Sequence, residues 1–184
     1  MKRTAVFLLC AGMLFLGCQQ KEESKPQYQF PVGQGQPGGM QPGSAQSVDI
    51  VKLLQDAVKK DPKNLHAWIE LGNTLMDTRR FPEAVEAYQK ALELDPKNVD
   101  VRVDMGTCYR NSGKPDLAVK EYKKALENNP NHLNGHLNLA IVLAFDIHDY
   151  PQAQKVIEKA IAMAPNSPEA QRVRQEIERM KGTK

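Results

Sequence analysis

The chain has 184 residues and a net charge of only +3, with 26% of its residues charged and 6% aromatic. Lys2 and Arg3 supply two of those charges, so the remainder is near neutral and well mixed. That balance excludes the clustered basic face and the base-stacking platforms that nucleic-acid binding needs. Three cysteines, Cys10, Cys18 and Cys108, give no disulfide framework, and Cys108, alone inside a helical pattern, reads as a small buried hydrophobe.

From the N-terminus, Lys2 and Arg3 lead into an apolar run over residues 5–16. The run is shorter than the roughly 20 residues of a spanning helix, and its layout is that of a secretory signal peptide, residues 1–17. It ends Leu14-Phe15-Leu16-Gly17-Cys18, which resembles the bacterial lipobox. Gly17 and Cys18 match, while Phe15 stands where Leu is usual. The resemblance implies that Cys18 becomes a lipidated N-terminus, carrying palmitate-type chains that hold it stably at a membrane. Gln19 replaces the Asp of inner-membrane retention, so the expected address is the periplasmic face of the outer membrane, with the inner membrane second. Ordinary signal cleavage and an uncleaved anchor are the alternatives.

Residues 18–46 are rich in Gln, Gly and Pro and cannot bury enough apolar surface to fold. They are expected to be a disordered, lipid-anchored linker with a typical end-to-end distance of roughly 30 Å, reaching on the order of 90 Å when extended. Tyr28 and Phe30 are among its few large apolar residues.

Beyond residue 46 a period takes over. Pro62, Pro96, Pro130 and Pro165 are spaced by 34, 34 and 35, and Ala57, Ala91, Ala125 and Ala160 keep the same steps. A period near 34 signals a solenoid of helical hairpins. Residues 47–64 form a half repeat, a single helix from an N-cap at Ser47 to about Lys60. Three full repeats follow, 65–98, 99–132 and 133–167, and a terminal helix, 168–184, closes the array with a polar outer face.

The first full repeat reads Trp68-x-x-Leu71-Gly72-x-x-Leu75, then Ala84, Tyr88, Ala91 and Pro96. The second carries Met105, Gly106, Tyr109, Ala118, Tyr122, Ala125 and Pro130, with Arg102 where a large apolar residue is expected. The third carries His136, Leu139, Ala140, Leu143, Ala153, Ile157, Ala160 and Pro165, with one extra residue placed in the turn 146–150. These residues resemble the tetratricopeptide repeat (TPR) family. The resemblance covers about residues 48–181 and implies an all-α right-handed superhelix. Gly72, Gly106 and Ala140 on each first helix are expected to face Ala84, Ala118 and Ala153 on each second helix, because small residues let helices approach closely.

In that family the first helices of the repeats line a concave face that grips peptides or partner helices. By position the groove is expected to present His66, Ile69, Asn73 and Met76, then Asp100, Val103, Asp104, Thr107 and Arg110, then Asn134, Leu137, Asn138, Ile141 and Phe145. Leu137 and Ile141 could equally pack against the terminal helix. Some members clamp a C-terminal carboxylate, but Ile69 and Asp104 stand where Lys and Asn are expected, which argues against an acidic tail as ligand. His132 and His136 are four apart, yet too few partners accompany them for a metal site. No nucleophile elbow, carboxylate pair or phosphate loop is present, so neither cofactor nor catalysis is expected. The expectation is a non-enzymatic adaptor of the bacterial envelope, binding a protein or peptide while assembling a pilus, secretion or outer-membrane machine. The alternative is a chaperone-like module presenting a client to an envelope enzyme, as in cytochrome c maturation.

Overall fold

The computed structural model describes residues 45–182, with side chains from Ile50 onward. The leader, Cys18, Tyr28, Phe30 and nearly all of the linker lie outside that range. Eight α-helices follow in order: α1 Ala45–Lys60, α2 Leu65–Asp77, α3 Phe81–Leu94, α4 Val99–Asn111, α5 Pro115–Asn128, α6 Leu133–Ile141, α7 Tyr150–Met163 and α8 Pro168–Lys181. A π-helical turn, Val142–Asp146, extends α6. Each helix packs on the next, and α6 also touches α4 and α8. The fold is therefore an all-α stack of hairpins in which α2, α4 and α6 are the first helices of the repeats and α3, α5 and α7 the second. Among the described residues no helix is long and apolar enough to cross a membrane.

The ends of the helices follow the period. α1, α3, α5 and α7 each stop two residues before Pro62, Pro96, Pro130 and Pro165, because a proline disfavours helical dihedrals in the residue ahead of it. The next helix then starts on a side-chain cap. Asn64, Asn98, His132 and Ser167 accept from the backbone N–H of Ala67, Val101, Gly135 and Ala170 at 3.0, 3.1, 3.0 and 3.2 Å, each satisfying one orphan donor of the first turn. Ser47 has no such place: α1 already includes Ala45 and Gln46, so the expected cap lies within the first turn.

A second series joins the same turns. Trp68 Nε1, Arg102 Nη2, His136 Nε2 and Gln171 Nε2 lie 2.9, 2.8, 2.8 and 3.2 Å from the carbonyl oxygens of Pro62, Pro96, Pro130 and Pro165. Arg102 is thus no lapse in the pattern. The position needs an N–H donor on a long or broad side chain, and Trp, Arg, His and Gln all supply one. His136 must carry its proton on Nε2 to donate, which leaves its buried Nδ1 without a partner. Arg102 adds an ion pair to Glu121 at 2.8 Å, and Lys124 bonds the other Glu121 oxygen at 3.1 Å.

The close approach within each hairpin has a different partner from the one expected. A Cβ added to Gly72 would first meet the ring of Tyr88, at 2.4 Å, and one added to Gly106 the ring of Tyr122, at 2.6 Å. The glycines therefore admit tyrosine rings, which are almost fully buried, rather than facing Ala84 and Ala118 alone. The hydroxyls continue the pairing. Tyr88 donates to Asn73 Oδ1 at 2.8 Å, and the Tyr122 hydroxyl meets Thr107 Oγ1 at 3.1 Å. The third repeat changes the whole set: Ala140 replaces Gly, Ile157 replaces Tyr and Ile141 replaces the hydroxyl partner, all buried.

The extra residue of the third repeat sits in the helix, not in the turn. The three turns hold one left-handed residue each, Arg79 (φ 60°), Gly113 (φ 71°) and His148 (φ 64°). The residue after it bonds back to Leu75, Tyr109 or Leu143 in turn. That bond spans five residues in the first two repeats and six in the third, because Val142–Asp146 winds as a π-turn closed by Ile147 N–H on Val142 O at 3.1 Å. A wider turn absorbs one residue without unravelling the helix.

Candidate peptide-binding groove

The face expected to be concave is carried by α2, α4 and α6. Four of the residues expected to line it are withdrawn into packing: Val103 (4% exposed), Thr107 (5%), Leu137 (2%) and Ile141 (3%). Val103 and Leu137 are buried on α4 and α6, which touch each other, and α6 also touches α8. Thr107 and Ile141 are held by the tyrosine-pairing position described above. Leu137 and Ile141 are thus core residues and not side-chain pockets for a ligand.

The rest remain at the surface. His66, Asp100 and Asn134 are exposed, and Ile69, Asn73, Met76, Asp104, Arg110, Asn138 and Phe145 are partly buried. They form two chemically distinct zones. Around the Tyr88 hydroxyl gather Asp104, Asp77 and Glu70, whose charges, with burial as the largest cause, push the phenol far above its ordinary value. Met76 Sδ lies 3.9 Å from the same oxygen. Asp104 itself is pushed up to about 6, first by burial and then by Asp100, with His132 pulling the other way and Asp77 adding a smaller push. The second zone is a cross-link: Arg110 Nε donates to Asp146 Oδ2 at 2.6 Å, joining the ends of α4 and the π-turn.

Neither histidine behaves as a metal ligand. His132 uses Nδ1 to cap α6 and places Nε2 2.9 Å from Asp100 Oδ1, and His136 is bound to the Pro130 carbonyl. Among the described residues no group of three His, Cys, Asp or Glu side chains is placed to hold a metal ion. Cys108 is fully buried, and burial followed by Asp104 pushes its thiol up to about 12, so the thiolate nucleophile is suppressed. Sequence reasoning missed Glu70, Asp77, His132 and Asp146 as groove residues. The signal was available for Glu70, which lies one period before Asp104.

These features define a class before they define a family. Solved structures share the fold: a crystal structure of MamA aligns with a TM-score of 0.67 at 22% identity, covering 74% of this chain and 79% of that one. A second crystal structure of MamA gives 0.69 at 20% identity and 74% of each chain. The first TPR of Spaghetti (RPAP3), solved bound to the HSP90 peptide SRMEEVD, gives 0.62 at 20% identity, covering 67% of this chain and 97% of that one. The chain is a tetratricopeptide solenoid, a protein-interaction module. More narrowly, the profile described as the cytochrome c-type biogenesis protein H TPR domain matches residues 37–172, and the chain belongs to that family. No curated protein matches it.

Proposed function

We propose that the chain holds a segment of an unfolded polypeptide on its concave face and presents it to an envelope enzyme, as in cytochrome c maturation. The observation that carries this reading is the family match over residues 37–172. It is supported by a groove whose surface side chains are amides, carboxylates and half-buried apolar groups suited to a polypeptide. The role is binding, without catalysis. In this reading Cys18 carries the lipid anchor and residues 19–46 tether the repeats beside the outer membrane, on its periplasmic side.

A photoreactive amino acid at Asn138 tests the proposal in intact cells. The expected product is a crosslink to a haem-free c-type cytochrome polypeptide, and cells lacking the chain are expected to lose haem-stained c-type cytochromes. Normal cytochromes, with crosslinks to a pilus, secretion or outer-membrane component, overturn this reading in favour of an assembly adaptor. Palmitate labelling that persists in Cys18→Ser removes the anchor.

A further inference from the structure

Where α3 and α5 pack on α4, a solvent-open cavity of about 370 Å³ lies among the three helices, and it shares no residue with the groove. Its apolar lining is Leu92 and Met105, both buried, with Tyr109 beside them. Gln89 Nε2 donates to the Tyr109 hydroxyl at 3.3 Å. The charged lining groups balance, Arg102 and Lys124 against Glu93 and Glu121, and all four are held by neighbours. Arg102 and Lys124 bond Glu121 at 2.8 and 3.1 Å, and Glu93 takes Lys90 at 2.9 Å. A charged ligand of either sign therefore gains nothing from the sum.

Arg102 decides what kind of neutral group fits. Its Nη1 and Nη2 are spent in the plane of the guanidinium, on Glu121 and on the Pro96 carbonyl, each at 2.8 Å. Its Nε is buried and has no partner. No edge is left for a carboxylate to grip, and what the group still offers is its flat face. One period earlier the positions of Arg102 and Glu121 hold Trp68 and Ala87, and one period later His136 and Val156. Both neighbouring joints thus place a ring of the chain's own where this joint has an arginine with a cavity beside it.

We infer that this cavity accepts an aromatic side chain of a partner protein, an indole above all, stacked on the Arg102 guanidinium and packed against Leu92, Met105 and Tyr109. A cation over the face of a ring and a thioether at its edge both favour an aromatic group over an aliphatic or charged one. Buried rings are also the commonest anchors of protein interfaces. The site does not depend on the polypeptide groove, so the chain gains a second contact surface on different residues.

The test titrates N-acetyltryptophanamide into the full-length chain and follows isotopically labelled methionine methyls by nuclear magnetic resonance. The Met105 signal is assigned by its loss in Met105→Leu. The expected result is a ring-current shift at Met105 that saturates at millimolar concentration, with Met76 in the groove unmoved. The acetyl amides of lysine and glutamate should leave Met105 in place. Arg102→Trp/Glu121→Ala imports the pair found one period earlier and should abolish the saturable shift, with circular dichroism melting confirming that it folds. If it does not fold, Arg102→Gln keeps the kind of donor that Gln171 supplies at the last joint and should weaken binding about threefold. No saturable shift at Met105, an equal shift with a charged amide, or undiminished binding by the folded variant overturns the inference. None of these outcomes touches the reading of the groove, whose own test is the crosslink at Asn138.

Discussion

The seams between helices and the concave face obey different rules, although the same first helices contribute to both. Along the seams every repeat solves one problem with interchangeable parts. Four caps and four donors to a proline carbonyl recur at steps of 34, 34 and 35, and one small residue per hairpin at steps of 34. On the groove face only the aliphatic series Ile69, Val103 and Leu137 keeps the period through all three repeats, while Glu70 and Asp104 give way to Asn138, and His66 and Asp100 to Asn134. The difference separates what stacking requires from what a ligand could select. It also locates the costliest charge, since burial first and Asp100 second raise the Asp104 carboxyl to about 6, and rules of stable packing are broken chiefly where function demands it.

The sharpest way to break this comparison is Gly72→Leu. With the Tyr88 ring 2.4 Å from the would-be Cβ, the hairpin must open, and urea unfolding should show a loss of about 3 kcal/mol. Importing the third repeat's solution as Gly72→Ala/Asn73→Ile/Tyr88→Ile should recover most of it, because that set already coexists as Ala140, Ile141 and Ile157. A triple variant no better than Gly72→Ala alone would show that the seams are not interchangeable.

Asp104→Asn should act in the opposite direction and stabilise the chain. Its folded carboxyl holds the proton more tightly than an unfolded one, at about 6. Ionising it therefore costs folding free energy, growing between the ordinary carboxylate value of about 4 and about 6 and constant above. The gain should be on the order of 1–2 kcal/mol at pH 7.5 and should vanish by about pH 4. Equal melting curves for both proteins at pH 7.5 would show that the buried charge has no such cost.

Smaller effects test the seams one bond at a time. Asn98→Ala should cost about 1 kcal/mol by uncapping α4. Arg110→Ala and Asp146→Ala, combined in a double-mutant cycle, should show a coupling below about 1 kcal/mol, since the pair is partly exposed. A much larger coupling would make the π-turn a structural clamp rather than a local accommodation.

The periodic prolines and alanines were readable in the sequence because packing leaves them so few substitutes. The identity at Trp68, Arg102, His136 and Gln171 was not, because the requirement is a hydrogen-bond donor with sufficient reach and several unrelated residues meet it. The π-turn escaped because an extra residue between Leu143 and Asp149 can be absorbed by the helix or by the loop, and sequence alone does not choose. The groove was half readable. Register placed the right helices, but Val103 and Leu137 are apolar surface on paper and interior once neighbouring first helices lie side by side. Asp77 and Glu70 matter only through what stands across from them, which a linear period does not report.

The proline-carbonyl bond has a mechanical consequence. It ties the joint after one hairpin to the opening turn of the next, so bending the array at that joint means stretching the bond. The four joints are not tied alike: indole, guanidinium and imidazole donate at the first three, and the flexible amide of Gln171 makes the longest of the four bonds, at 3.2 Å, between α7 and α8.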